Sequence, residues 1–192
     1  MRIEKKQLTF LLLIALFAAS AFAGAPGASA KNFCSVSKIP AEARRLLRRR
    51  AGGWILQDAG RLNASARKRW AAEKPVSCPG FAIGRFESAA SVSYGVLLVP
   101  RKTSARGYRI VVLTRLNGRY QLKEAEASNS ADSANFFIRG IPISRFFDLR
   151  AKRKFNISVA DGIVLVDAGR GEYESDLFFW SGDAYHSQPV HY

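Results

Sequence analysis

Histidine is almost missing from this chain. Of its 192 residues only His186 and His191 are imidazoles, and both lie close to the C-terminus. Nucleophilic catalysis needs a base held firmly beside Ser, Thr or Cys, and a chain end holds one badly. Nor is there a G-x-S-x-G elbow, a Walker-type P-loop or a dinucleotide-binding glycine fingerprint. Cysteine is scarce as well. Cys34 and Cys78 are the whole supply, and neither has a His close by, so zinc is poorly served. No cofactor is implied. Internal repeats, heptads and low-complexity tracts are also absent, which excludes solenoids and coiled coils.

Negative charge is the third shortage. Fifteen acids face 30 Lys and Arg, giving a formal net charge of +15 and a pI near 10.4. Hydrophobic residues make up 48% of the chain, with thirteen Phe, enough for a folded core.

The N-terminus has the layout of a secretory signal. Arg2, Lys5 and Lys6 form a charged start, Leu8 to Ala19 is apolar, and Ser20-Ala21-Phe22-Ala23 ends in small residues. An apolar run of about twelve residues is short for a membrane span and suits a cleavable peptide. The expected organisation is a signal peptide over 1–23, a flexible leader over 24–33 and one domain over 34–192. Ala28-Ser29-Ala30 offers a second cleavage site. No transmembrane anchor is expected in the mature chain, and the expected location is periplasmic or secreted.

Export into an oxidising compartment makes a bridge the natural reading of two cysteines, and only Cys34–Cys78 is available within the chain. A closed loop of about 45 residues would stabilise the fold by roughly 4 kcal/mol in the chain-entropy model.

The positive charge is concentrated between Lys31 and Lys74, where twelve basic residues meet only Glu42, Asp58 and Glu73. A helix is predicted from Pro40 to the Gly52-Gly53 stop, with Ile39, Ala43, Leu46 and Leu47 on one stripe and Arg44, Arg45, Arg48 and Arg49 elsewhere. Trp54-Ile55-Leu56 reads as a short strand. Asn63 caps a second helix over Ala64 to Glu73, carrying Arg67, Lys68 and Arg69, and Pro75 ends it. These seven basic side chains are the candidate binding residues for an acidic polymer or envelope component. Trp54, Trp70 and Tyr108 would supply stacking to nucleic acid, but export argues against a specific intracellular nucleic-acid partner.

From Cys78 onward the pattern is sheet. Cys78 to Phe86 and Val92 to Pro100 read as strand, turn, strand. Tyr108 to Leu113 is a strand, Asn117-Gly118 a hairpin, and Tyr120 to Lys123 a half-exposed strand. Ala125 to Ala134 reads as a loop and Phe136 to Ile138 as a strand. Pro142 to Lys154 fits a short helix or an extended loop. Asp161-Gly162 reads as a turn joining residues Asn156 to Val159 to a strand over Ile163 to Val166; Glu172 to Trp180 follows as a strand, then a Ser181-Gly182-Asp183 turn and a short tail through Tyr185. The expected fold class is α+β, with the N-terminal basic helices packed on a mainly antiparallel β-sheet.

Gly84-x-Phe86, a short polar loop and Tyr94-Gly95-Val96-Leu97-Leu98 resemble the strand–loop–strand of integrin-type FG-GAP repeats. In those repeats an Asp-rich loop binds calcium; here Arg85 and Glu87-Ser88-Ala89-Ala90-Ser91 replace it, and one copy builds no propeller. Gly53-Trp54, Trp70, Cys78-Pro79-Gly80, Asp161-Gly162-Ile163 and Phe179-Trp180-x-Gly182 extend the resemblance to exported bacterial domains with a single such unit. That resemblance implies a compartment and a fold, and no activity.

Two further clusters could carry chemistry. Glu172, Glu174 and Asp176 share one strand face at a period of two, where carboxylates raise one another's pKa as in a glycan hydrolase. An edge strand that blunts aggregation is the plainer reading. Asp183, His186 and His191 are a candidate surface metal site, for which a solvated tail is the plainer reading. The function these observations favour is binding rather than catalysis: an exported, disulfide-stapled interaction domain for an acidic partner. A carboxylate hydrolase and an exported protein with no anionic ligand are the alternatives.

Overall fold

Val96, Leu97 and Leu98 are consecutive, apolar and all buried. A strand with one face in water would have to alternate, so both faces of this one are covered. The computed structural model, which describes residues 38–73, 78–169 and 174–191, shows how. The first sheet contains β1 (Trp54–Leu56), β2 (Phe81–Gly84), β3 (Ser93–Pro100), β4 (Tyr108–Leu116) and β5 (Arg119–Ser128). β3 pairs with β4 along one side and with β2 and β1 in succession along the other, all antiparallel. The second sheet is an antiparallel meander of β6 (Phe136–Pro142), β7 (Asp161–Asp167), β8 (Glu174–Trp180) and β9 (Tyr185–His191).

The two sheets stack through one face each. Leu97, Ile110 and Val112 meet Ile138, Ile163, Leu165 and Phe178, with Phe86 filling the space between them. The opposite face of the first sheet, Val96, Leu98, Val111 and Leu113, packs with Ile39, Ala43 and Leu47 of the segment containing α1 (Ala41–Arg50). The opposite face of the second, Phe137, Val164, Val166 and Leu177, packs with Leu62 and Ala66 at α2 (Ala64–Ala72) and with Phe147 and Ile157 around α3 (Leu149–Lys154).

This overturns the expected α+β class with N-terminal helices packed on a single sheet. The fold is β-rich, two antiparallel sheets with three short helices among the described residues. The physical reason lies in runs such as Ile110 to Leu113 and Ile163 to Val166, buried at every position. Each sheet uses one face for its partner sheet, so consecutive residues are apolar for two different cores.

Backbone contacts join the sheets where β1 gives way to β2. Gln57 is fully buried; its N–H donates to the Leu97 carbonyl at 2.9 Å, and its Nε2 donates to the Ser133 and Phe136 carbonyls at 2.7 and 3.1 Å. The Ile138 N–H of β6 in turn donates to the Pro79 carbonyl at 2.8 Å. A side chain at Gly80 would put its Cβ 2.5 Å from the Gln57 carbonyl oxygen. That is why the Cys-Pro-Gly stretch ends in the one residue without a Cβ. Cys78 is buried with Sγ 3.1 Å from the same carbonyl; its expected partner Cys34 lies outside the described residues, as do the expected signal peptide and leader.

Other local expectations shift. β5 continues to Ser128 through the expected loop at Ala125, and Asp161-Gly162 opens β7 rather than turning. Asp161 is held there because its Oδ2 accepts the Arg85 N–H at 2.9 Å. The expected tail is β9, an edge strand paired with β8 from Tyr185 to His191.

Candidate functional site: a basic cleft between α1 and β1

The last turn of α1 and the first residues of β1 enclose a cleft of about 380 Å³. Its geometry follows from a tight reversal. Glu42 in the first turn and Arg48, Arg49 and Arg50 in the last suit the helix dipole. The Ala51 N–H closes the helix on the Leu47 carbonyl, and the Trp54 N–H donates to the Ala51 carbonyl at 3.0 Å. Gly53 takes φ +83°, a left-handed conformation that favours glycine. Trp54 is thereby brought back beneath the helix end.

Leu47, Leu56 and Leu98 form the apolar floor of the cleft, with Ile39 beside them and Trp54 as a wall. Arg44 and Arg48, four residues apart on α1, line one side, and Arg101 lines the other. Arg101 follows β3 and is held by pairing: Trp54 lies opposite Pro100, and the Arg101 N–H donates to the Gly53 carbonyl at 2.9 Å. The Arg61 guanidinium reinforces that corner, donating to the Pro100 and Arg101 carbonyls, each at 3.0 Å. Arg109 sits 4.8 Å from the centre of the Trp54 ring and fixes its orientation.

The charges in the cleft are unbalanced. Among the described residues the ion pairs are Arg109–Glu124, Lys123–Glu87 and Arg139–Glu73, and none involves Arg44, Arg48 or Arg101. Arg44 Nε is withdrawn from solvent with no acceptor among the described residues. A cleft built this way can hold an anion and cover apolar surface at the same time.

The seven candidate binding residues divide. Arg44 and Arg48 line the cleft, while Arg45 and Arg49 are exposed on α1 away from it. α2 packs with the other sheet. There Arg67 donates through Nε to the Ala59 carbonyl and through Nη2 to the Leu62 carbonyl, both at 3.0 Å, and so holds the loop before its own helix. Lys68 is exposed, and Arg69 lies electrostatically beside Glu73. Burial raises the Glu73 carboxyl above its ordinary range despite the opposing Arg139 and Arg69 charges. Arg101 was missed because its place in the cleft depends on the β1–β3 register, which no local pattern encodes.

Of the paired carboxylates, Glu172 lies outside the described residues. Glu174 opens β8 opposite His191, and Asp176 is half-buried. β8 lies between β7 and β9, so it is not an edge strand. Asp176 lines neither the cleft nor the second cavity described next.

That second, open cavity of about 650 Å³ surrounds the β8–β9 turn and brings together Phe155, Phe179, Ser181, Asp183 and His186. Ser181 Oγ donates to Asp183 Oδ1 at 2.8 Å and lies 3.0 Å from His186 Nε2. With the hydroxyl proton committed to Asp183, the imidazole N–H is the donor to Ser181, the reverse of a base activating a nucleophile. The hydrogen bond from Ser181 holds the Asp183 carboxyl below its usual range. The trio lies within a six-residue reach and locks the turn. His186 stacks on Phe179, whereas His191 sits five positions along the strand, on the other face. No three metal-ligating side chains converge among the described residues.

Comparison with protein-family models, with curated proteins and with solved structures found no match. No helix among the described residues is long and apolar enough to cross a membrane.

Proposed function

We propose that the protein is an exported binding domain, stapled by Cys34 and Cys78, that takes an acidic envelope or extracellular partner at the cleft between α1 and β1. The observation that carries this reading is the gathering of Arg44, Arg48 and Arg101 around one cleft, with no carboxylate partner for any of them among the described residues. An anion in the cleft supplies the missing counter-charge, and planar guanidinium groups pair well with carboxylate, phosphate or sulfate. The signal-like N-terminus motivates the location, and the excess of Arg and Lys provides long-range attraction.

The test is retention of the mature protein on immobilised heparin across a sodium chloride series, beside an Arg44→Gln/Arg48→Gln variant. Earlier elution of a variant that still melts cooperatively is expected: the exposed Arg48 contributes little to folding, and replacing the half-buried Arg44 brings only a small loss. Equal elution of the two proteins would overturn the assignment of the cleft.

A further inference from the structure

The same cleft says more about its ligand than a sign of charge. A hydrated polyanion would satisfy the arginines and leave the half-buried Trp54 and Leu56 wet. An uncharged apolar molecule would cover those residues and remove the arginines further from water with no counter-charge, which is costly. Only a molecule with both parts complements both. The volume of about 380 Å³ lies at the small end of ligand-binding pockets, which run from roughly 300 to 1,000 Å³. It is sized for one chain.

We infer that the cleft binds a single-chain amphiphile, its alkyl chain against Trp54 and Leu56 and its anionic headgroup against Arg44, Arg48 and Arg101. This inference rests on the cleft being the anion site proposed above. The headgroup meets guanidinium donors from two directions, α1 and the end of β3. Trp54 is held in place by Arg109 before any ligand arrives, so the apolar wall is preformed and little ordering is lost on binding.

The experiment is calorimetric titration of the mature protein with three probes below their aggregation limits: n-decyl phosphate, inorganic phosphate and n-decanol. Decyl phosphate is expected to bind at least about tenfold more tightly than either of the others, since each buried methylene and each charge-assisted contact adds affinity. An Arg48→Gln/Arg101→Gln variant, exposed at both positions, is expected to weaken decyl phosphate by about tenfold. Equal binding of inorganic and decyl phosphate would overturn the amphiphile and leave the anion site standing. Equal binding of decanol and decyl phosphate would show that the headgroup contributes nothing, and would also overturn it. Decyl phosphate unaffected by the double variant would place binding elsewhere and refute the site. If neither phosphate binds, the anion reading itself fails, and the amphiphile with it.

Discussion

Lys123 Nζ lies 3.3 Å from the Glu87 carboxylate, whose side chain is only 2% exposed. The same ammonium lies 3.7 Å from the centre of the Trp180 ring, and Tyr185 Oη donates to Glu87 Oε1 at 3.1 Å. Lys123 belongs to β5 of the first sheet, and Trp180 and Tyr185 to β8 and β9 of the second. Glu87 comes from the loop between β2 and β3. One buried carboxylate therefore latches the two sheets together.

Breaking that latch from one side strands the charge. Lys123→Met is expected to cost about 2 kcal/mol of stability, less than for a fully buried pair because Lys123 keeps a third of its exposure. Adding Glu87→Gln to it should recover about 1 kcal/mol, since the uncompensated carboxylate is removed with its partner. Urea unfolding of the two single variants and the double variant measures the coupling. Strictly additive losses would show that Lys123 and Glu87 do not act as a pair.

The latch also has a pH signature. Burial, and then the neighbouring Glu87 carboxylate, push the Tyr185 phenol far above its ordinary range. A folded-state pKa raised above the unfolded one contributes stability below the unfolded value and loses it as pH rises beyond. Stability should therefore fall above about pH 10, by about 1.4 kcal/mol per pH unit for one proton. Tyr185→Phe should lower stability at neutral pH by about 1 kcal/mol through the lost hydrogen bond and flatten the alkaline slope by one proton. An unchanged slope above pH 10 would assign the alkaline loss to other groups.

Much of the local structure was legible because single residues encode it. Asn63 caps α2, its side chain accepting the Ala66 N–H at 2.8 Å. Asn117 and Gly118 turn β4 into β5, both at positive φ. The division of the strands between two sheets was not legible, because Leu97 and Leu98 serve two cores that adjacent letters cannot separate. β9 was hidden for another reason: its polar sequence is anchored by Val190, its one buried residue, and the strand is defined by pairing with β8. The candidate site was half legible. Arg44 and Arg48 announce themselves by helical spacing, but Arg101 joins them only through the pairing of Trp54 with Pro100.

Gly80 offers a test of how the sheets are joined. An alanine Cβ there would meet the Gln57 backbone at under 3 Å on both its nitrogen and its oxygen, and neither can move without disturbing the Leu97 pairing. Gly80→Ala is expected to destabilise by about 3 kcal/mol, in the range of overpacked core sites. Gly52→Ala, where nothing lies within 4 Å, should be close to neutral and serves as the control. Similar melting temperatures for the two variants would mean that the Pro79–Gly80 segment can yield.

The proposed Cys34–Cys78 bridge is checked by intact mass of exported protein without reductant, which should be two hydrogens below the dithiol. Reduction is expected to lower stability by roughly 3 kcal/mol, somewhat under the chain-entropy value for this loop. Titration of two free thiols in exported protein would remove the staple.

The division of the basic residues between α1 and α2 gives the last prediction. Arg67 donates to backbone carbonyls at Ala59 and Leu62, so its charge supports the loop that carries Arg61. Arg61 in turn holds the Pro100 and Arg101 carbonyls at the cleft. Arg48 has no such partner among the described residues and is exposed at the mouth. Arg67→Gln is therefore expected to cost about 1 to 2 kcal/mol in urea unfolding, while heparin retention falls only by what one charge contributes to the general field. Arg48→Gln should do the reverse, leaving unfolding within about 0.5 kcal/mol of wild type and reducing retention more than Arg67→Gln at the same ionic strength. The two variants remove the same unit charge, so their comparison holds net charge constant and separates position from sign. Identical elution of Arg48→Gln and Arg67→Gln would mean that retention reads total charge, and that the cleft between α1 and β1 has no special claim on the anion.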